Sequence, residues 1–221
     1  YLPEALINYI ALLGCSYEDS RDIYSLDELV KLFKIERLNK APAVFDYQKL
    51  EWFNGQYIRM KSDDELSRLF IPYLHAEGLV GDPPTDEEYT IIRGMVPLVK
   101  ERLKVLSEVP GLSRFLFTEL GEYPVSDLIP KKLDAKAARS LLEAARPLVE
   151  KLFDETDEEA EESFKLKAEE LKVKLGDLLM PVRVAVTGSK VSPPLFGSLR
   201  LLGKEKSLKR IDRALEMLAA S

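Results

Sequence analysis

Thr85-Asp-Glu-Glu88-Tyr-Thr-Ile-Ile-Arg-Gly-Met-Val-Pro97-Leu-Val-Lys-Glu-Arg102-Leu-Lys-Val-Leu106 is the stretch on which the fold turns. Its opening has the spacing of a capping box, in which the Thr85 hydroxyl and the Glu88 carboxylate satisfy each other's free backbone amides at a helix start. The pattern that follows predicts a helix over 86–106. Pro97 is expected to bend it, because proline lacks an N–H and crowds the carbonyl four residues back. The same start signal recurs at Ser25-x-x-Glu28, Ser62-x-x-Glu65 and Thr156-x-x-Glu159. No period-two alternation lasts long enough to argue for a sheet, so the expected fold class is all-α.

Outward from that stretch, a helix is expected near 63–77, joined to the next by a turn over Gly78 to Pro84. After Asp46 a short helix should carry Leu50 and Trp52 inward and stop at Asn54-Gly55. Further on, a charged helical pair is expected over 134–153 and 157–173, joined across Phe153-Asp-Glu-Thr-Asp157. The acidic run Asp154 to Glu162 is read as a solvated loop and helix start, since negative side chains favour helix N-termini; it should face away from nucleic acid. Gly188 should end one element, and Ser192 should cap a helix whose first position suits Pro193, leaving unpaired N–H groups in the turn between them. Gly121, Pro124 and Pro130 collect between Leu120 and Asp134. We therefore expect a junction near residue 130 and a softer one near Met60-Lys61, giving parts 1–61, 62–130 and 131–221.

With 46% hydrophobic residues over 221 positions, the chain can bury a substantial core. No apolar run approaches the roughly 20 residues that span a bilayer, and no charged-then-apolar leader is present; a soluble, intracellular, cytoplasmic protein without a membrane partner is expected. One cysteine, Cys15, excludes an intrachain disulfide framework and a cysteine-rich zinc site. It lies in the apolar run Ile10 to Cys15 and is read as a small core residue. The single histidine, His75, has no second histidine or cysteine to share a metal and is read as an ordinary helix residue. No metal is expected.

Although the net charge is −6, the segment from Arg183 to Arg213 carries Arg183, Lys190, Arg200, Lys204, Lys206, Lys209, Arg210 and Arg213 against Glu205 and Asp212. Such a patch attracts a phosphate backbone, or it simply solvates the face of an amphipathic helix. Arg102, on a helix over 86–106, would have Leu98, Val99, Val105 and Leu106 as its neighbours at three and four positions. It is then not on a simple solvated face: its stem lies on apolar surface and its head reaches water or a carboxylate, or it serves a ligand. Trp52, with Phe53 and Tyr57, is placed in the core by its helical spacing and by Leu50 and Ile58, with stacking on a base as the other reading. Lys100, Lys104, Lys131, Lys132 and Lys190 are candidates for phosphate contacts, which add affinity without sequence information.

Several separated motifs in one order resemble the C-terminal part of bacterial glutamyl-tRNA synthetases, class I aminoacyl-tRNA synthetases. Tyr1-Leu-Pro-Glu-Ala-Leu6 with Asn8-Tyr-Ile-Ala-Leu-Leu-Gly14 resembles the helix after the family's lysine-rich ATP-site loop. Ala43-Val-Phe-Asp-Tyr47 with Leu50-Glu-Trp52-Phe-Asn54-Gly55-Gln-Tyr57-Ile-Arg59 is similar to its stem-contact region. Arg114-Phe-Leu-Phe117, Tyr123-Pro-Val125, Arg183-Val-Ala-Val-Thr187-Gly188-Ser189, Ser192-Pro193-Pro194-Leu195-Phe196 and Leu202-Gly-Lys-Glu205 continue the match. The resemblance implies a stem-contact helical region followed by two helical anticodon-binding subdomains, a monomer, and tRNA(Glu) as the partner. ATP and Mg belong to the family's catalytic domain, whose His-containing motif and Lys-Ser-Lys type loop are not found here. The resemblance therefore implies a fragment of a glutamate–tRNA ligase that starts at Tyr1 just after the catalytic half, holds no cofactor of its own and is catalytically inactive alone.

On the family pattern, Arg102 falls where discriminating members carry the arginine that reads the third anticodon base, and Arg183, Ser192, Pro193 and Leu195 fall where the other anticodon bases are contacted. Glutamate anticodons end in C and glutamine anticodons in G. Cytosine offers acceptors at O2 and N3, whereas guanine presents N1–H and N2–H donors; arginine carries donors only and so fits cytosine. Ser192 stands where a threonine is familiar and keeps its hydroxyl, and Pro194 stands where a glycine often stands, a departure that fixes the backbone next to Leu195. Two other readings stand beside this one: a non-discriminating relative that also charges tRNA(Gln), and a helical protein-interaction module that reuses the fold.

Overall fold

The computed structural model describes residues 1–15, 17, 21–40 and 42–220. These residues form helices and turns. Among them there is no strand, and a single antiparallel bridge joins Cys15 to Leu38. The chain divides into two compact units, Tyr1–Gly111 and Leu112–Ser221.

The first unit holds α1 (Pro3–Gly14), α2 (Leu26–Leu32), α3 (Tyr47–Met60), α4 (Asp63–Ala76) and α5 (Asp86–Val99). α1 packs on α3 and α2, and Tyr9, Leu50 and Phe53 make a small core with Leu12, Leu13 and Ile23 against it. Asn8 is fully buried there, its Oδ1 accepting from the Tyr24 amide at 2.9 Å and the Tyr57 hydroxyl at 2.7 Å. α4 packs on α5; the residues they bury, Leu66, Phe70 and Leu74 on one and Ile92, Met95, Val96 and Val99 on the other, recur at three and four positions as an amphipathic helix requires. Cys15 is buried and unpaired, as expected, and His75 is an exposed residue of α4 whose Nδ1 lies 3.1 Å from the Val80 carbonyl oxygen.

All four expected capping boxes form, at Ser25, Ser62, Thr85 and Thr156. At Thr85 the Glu88 amide donates to the hydroxyl at 3.2 Å and the Thr85 amide to the carboxylate at 2.7 Å. That backbone hydrogen bond holds the Glu88 carboxyl below its ordinary range.

Three expectations are corrected. α5 ends at Val99, two residues past Pro97, and 100–105 is non-helical, a turn over 100–102 and a bend over 104–105. α3 does not stop at Asn54-Gly55 but runs through both to Met60. Trp52 is 45% exposed, because α3 buries Leu50, Phe53, Asn54, Tyr57 and Ile58 and Trp52 lies off that stripe, edge-on to Phe53.

α6 (Val109–Phe117) spans the division between the units. The second unit then contains α7 (Ala135–Leu152), α8 (Asp157–Glu170), α9 (Leu175–Thr187), α10 (Leu195–Leu202) and α11 (Lys204–Ala219), with a 3-10 turn over Val125–Leu128. α7 is central, touching α8, α9 and α11. It buries Ala138, Leu141, Leu142, Ala145, Val149 and Leu152, and α11 buries Ser207, Ile211, Ala214 and Leu218. Small side chains on both helices allow close approach. Arg146 of α7 fixes the pairing from outside with a two-pronged bond to Asp212 of α11, at 2.7 and 3.0 Å. The acidic stretch ahead of α8 is mostly exposed and opens that helix, as expected.

Candidate nucleic-acid interface

Arg102 lies on an exposed turn rather than on a helix face. The turn is tied down on both sides. Leu103 is fully buried beside it and Val99 fully buried before it. The Arg102 and Leu103 amides both donate to the Val99 carbonyl, at 2.9 and 3.2 Å. Asn54 of α3 clamps the far side: its Nδ2 donates to the Lys104 carbonyl at 2.5 Å while its Oδ1 accepts from the Leu2 amide at 2.7 Å. Gly55 lets α3 approach, since a Cβ there would lie 3.3 Å from the Leu103 carbonyl oxygen. Lys100 Nζ donates to the Lys61 carbonyl at 2.6 Å and pairs with Asp63 at 3.2 Å, and Glu108 accepts from the Lys104 amide at 2.8 Å. Arg102 is thus an exposed residue on a turn whose backbone is held in place, and a fixed backbone is what makes a polar contact selective.

The second unit carries the other predicted residues. Gly188 ends α9 in the left-handed conformation with φ 71°, as its sequence position suggests. Beyond it, Ser192 does not cap a helix. α10 begins at Leu195, with Pro194 before it and no side-chain cap. Ser192 instead belongs to Arg183, whose Nη1 donates to the Ser192 hydroxyl and, at 3.1 Å, to the Pro193 carbonyl. The structure therefore brings Arg183, Ser192 and Pro193 together. Ser192, Pro193 and Leu195 are buried, Arg183 is half-buried, and the exposed positions of the turn are Ser189, Lys190, Val191 and Pro194. Two amides expected to be unpaired are used locally: Ser189 N–H donates to the Thr187 hydroxyl at 3.3 Å and Val191 N–H to the Ser189 hydroxyl at 3.2 Å.

Much of the basic tail is committed internally. Arg200 binds Asp157 at 2.7 Å and the Glu155 carbonyl at 2.6 Å. Lys190 pairs with Asp127 at 2.6 Å and Lys204 with Glu150 at 3.5 Å. Arg210 is only 6% exposed and donates to the Val186 and Thr118 carbonyls at 2.7 and 2.9 Å; burial pushes its guanidinium below the ordinary arginine value, yet arginine stays cationic. Arg213 reaches the Leu120 carbonyl at 2.8 Å. Together these two arginines fasten 118–121 to the end of α9. The signal for Arg210 was legible in the i+3 and i+4 spacing that puts it on the buried face with Ser207, Ile211 and Ala214. For Asn54 no local signal existed. Lys104 pairs with Glu51 at 3.4 Å, whereas Lys131 and Lys132 are exposed with no partner among the described residues.

No group of three or more His, Cys, Asp or Glu among the described residues could hold a metal ion, and no helix among them is long and apolar enough to cross a membrane.

The family described as anticodon binding domain matches residues 65–215, and that described as tRNA synthetases class I (E and Q), catalytic domain, matches residues 1–52. A glutamate–tRNA ligase of Treponema denticola is 49% identical over 97% of this chain and 46% of its own length. One from Borreliella burgdorferi is 43% identical over 99% of this chain and 44% of its own. A crystal structure of a glutamate tRNA ligase from Elizabethkingia meningosepticum, in complex with its amino acid, superimposes with a TM-score of 0.76 at 30% identity, over 99% of this chain and 42% of that one. The chain thus spans less than half the length of these relatives. With an all-helical fold, two fixed turns bearing arginines and a family match over most of its residues, the chain belongs to the anticodon-binding domain family and corresponds to the C-terminal region of the glutamate–tRNA ligases, with the tail of their class I catalytic domain at its start.

Proposed function

We propose that this chain binds tRNA(Glu) and reads its anticodon, with Arg102 selecting C at the third position. The observation that carries the reading is the exposed Arg102 on a turn clamped by Asn54, Gly55 and Lys100. A donor-only guanidinium matches O2 and N3 of cytosine and opposes the N–H groups of guanine, at about 1–3 kcal/mol of discrimination on the scale of bidentate base readout. Arg183, Ser192, Pro193 and Leu195 shape the turn that contacts the other anticodon bases. Single-stranded bases are read splayed out along their edges; the surface offered to them is the exposed part of the turn, with Ser192, Pro193 and Leu195 packed behind it. Residues 1–61 act as the stem-contact region, and 62–130 and 131–221 as the two anticodon-binding parts. Lys100, Lys104, Lys131, Lys132 and Lys190 are proposed for backbone phosphates, with Lys131 and Lys132 the most available.

In this reading the whole protein is a cytoplasmic, monomeric glutamate–tRNA ligase that attaches glutamate to tRNA(Glu) with ATP and Mg. The catalytic-domain family matches residues 1–52 of this chain alone, so the chemistry is assigned to the rest of that domain and the chain by itself is proposed to be inactive. The test is binding of the chain to a tRNA(Glu) transcript and to one with C changed to G at the third anticodon position. Tighter binding of the first, with the difference abolished in Arg102→Gln, is the expected result. Equal binding of both by the unaltered chain would transfer the reading to a non-discriminating relative.

A further inference from the structure

Of the eight cations between Arg183 and Arg213, six have partners within the fold. Lys206 and Lys209 do not: both are exposed, and neither has a hydrogen bond or ion pair among the described residues. Together with Arg210 they stand at i, i+3 and i+4 on one face of α11. The same three residues line a cleft of about 220 Å³, completed by Glu119 and Glu205. Glu205 sits in the first turn of α11, where a carboxylate is favoured, and Glu119 faces the buried Arg210.

We infer that this cleft is an RNA-backbone phosphate site, with Lys206 and Lys209 as the contacting groups; the inference rests on the tRNA-binding reading above and extends it to the second unit. Its lining is entirely charged. No aromatic ring is there for a base to stack on, so it adds affinity and not sequence preference. Lysine suits the role, a compact charge on a flexible stem that follows a backbone without demanding one geometry. Arg210 is the link to the proposed anticodon turn: its guanidinium lines the cleft and also holds the Val186 carbonyl, two residues before Gly188. A phosphate bound at the cleft therefore anchors the RNA one side chain away from the turn that meets its bases.

The experiment is a salt titration of tRNA binding by the unaltered chain, by a Lys206→Ala/Lys209→Ala double variant and by Lys206→Arg/Lys209→Arg, each with the C-ending and G-ending transcripts. Both lysines are exposed, so folding is retained. The double alanine variant should weaken both transcripts by the same factor and flatten the dependence of log Kd on log salt by about one to two, leaving the C-to-G ratio as it was; the arginine variant should restore the slope. Loss of slope together with equal binding of the two transcripts by the unaltered chain would support the cleft while removing Arg102 from its role. An unchanged slope in the alanine variant, with tRNA binding intact, would overturn the cleft alone. No salt-dependent binding by the unaltered chain would overturn both.

Discussion

Residues 1–60 and residues 112–221 are both helical, yet they close their cores to different degrees. In the first region Ile7, Ile10, Leu26, Val30, Phe33 and Ile35 are between 43% and 73% exposed, and Val44, Tyr47 and Met60 are exposed as well. In the second, among the described residues, the large hydrophobic side chains left exposed are Leu166, Leu171 and Val191. The difference follows the helices. α2 has seven residues and buries Leu29 alone, whereas α7 has eighteen and buries a continuous stripe against three neighbours. Among the described residues the first region thus keeps more large apolar side chains exposed, and residues 1–52 of it match the class I catalytic domain family. The second region, among the described residues, buries its large side chains more completely.

The largest expected effect tests that contrast directly. Phe164 is fully buried, its ring 5.4 Å from that of Phe196, while Phe33 is 48% exposed. Phe164→Ala should cost about 3–5 kcal/mol, and Phe33→Ala roughly 1 kcal/mol or less, as a partly solvated side chain loses little on truncation. Urea unfolding of the two variants, followed by hydrogen exchange in each unit, would measure both. Equal losses would abolish the contrast.

A second expectation sharpens the comparison by moving to a fully buried polar residue of the first unit. Asn54→Ala strips the partners from the Leu2 amide and the Lys104 carbonyl together, and leaving such groups unsatisfied costs about 2–3 kcal/mol in all. Because the same side chain holds the 100–104 turn, the C-to-G preference should shrink although Arg102 is untouched. Stability loss without any change in preference would mean that the clamp does not position Arg102.

Asn54 also shows where a sequence stops being legible. Its dipeptide with Gly55 has the composition of a helix stop, but the amide is spent on two distant backbone groups and the glycine on a close approach, both set by tertiary contacts that local composition does not encode. α5 was expected to continue to 106 because Lys100 to Leu106 keeps apolar residues at helical spacing; in the fold Leu103 and Leu106 are buried from a turn and a 3-10 segment. The four capping boxes, by contrast, are closed within four residues and depend on nothing further away, so they were fully legible. The basic tail lies between these cases. Its charge could be counted, but the division into internal pairs and outward lysines needed the positions of Asp127, Glu150, Asp157 and the 118–121 carbonyls.

A third, smaller effect compares equivalent caps in the two units. Thr156→Ala and Thr85→Ala each remove one half of a formed capping box and should each cost about 1 kcal/mol. If the second unit is the more self-sufficient, the Thr156 variant should lower the urea midpoint of that unit alone, with exchange in residues 1–111 unchanged. Coupled loss in both units would show that they unfold as one.

The smallest effect concerns the pair that ties α7 to α11. Arg146's hydrogen bonds and charge hold the Asp212 carboxyl below its ordinary range. An unfolded chain, free of that pair, takes up the proton near pH 3.9. The pair's contribution is therefore present at neutral pH, where both states are ionised, and is lost as pH falls through the depressed folded value. Both side chains are more than a third exposed, so solvent screens the pair to about 0.2–1 kcal/mol. Asp212→Asn should lower the urea midpoint of the second unit slightly at pH 7, and the gap between variant and unaltered chain should close as the pH is lowered through the carboxylate range. The capping carboxylates Glu28, Glu65, Glu88 and Glu159 are depressed in the same direction, but they are present in both chains and cancel in the difference. A gap that stays constant with pH would assign the loss to packing between α7 and α11 rather than to the ion pair.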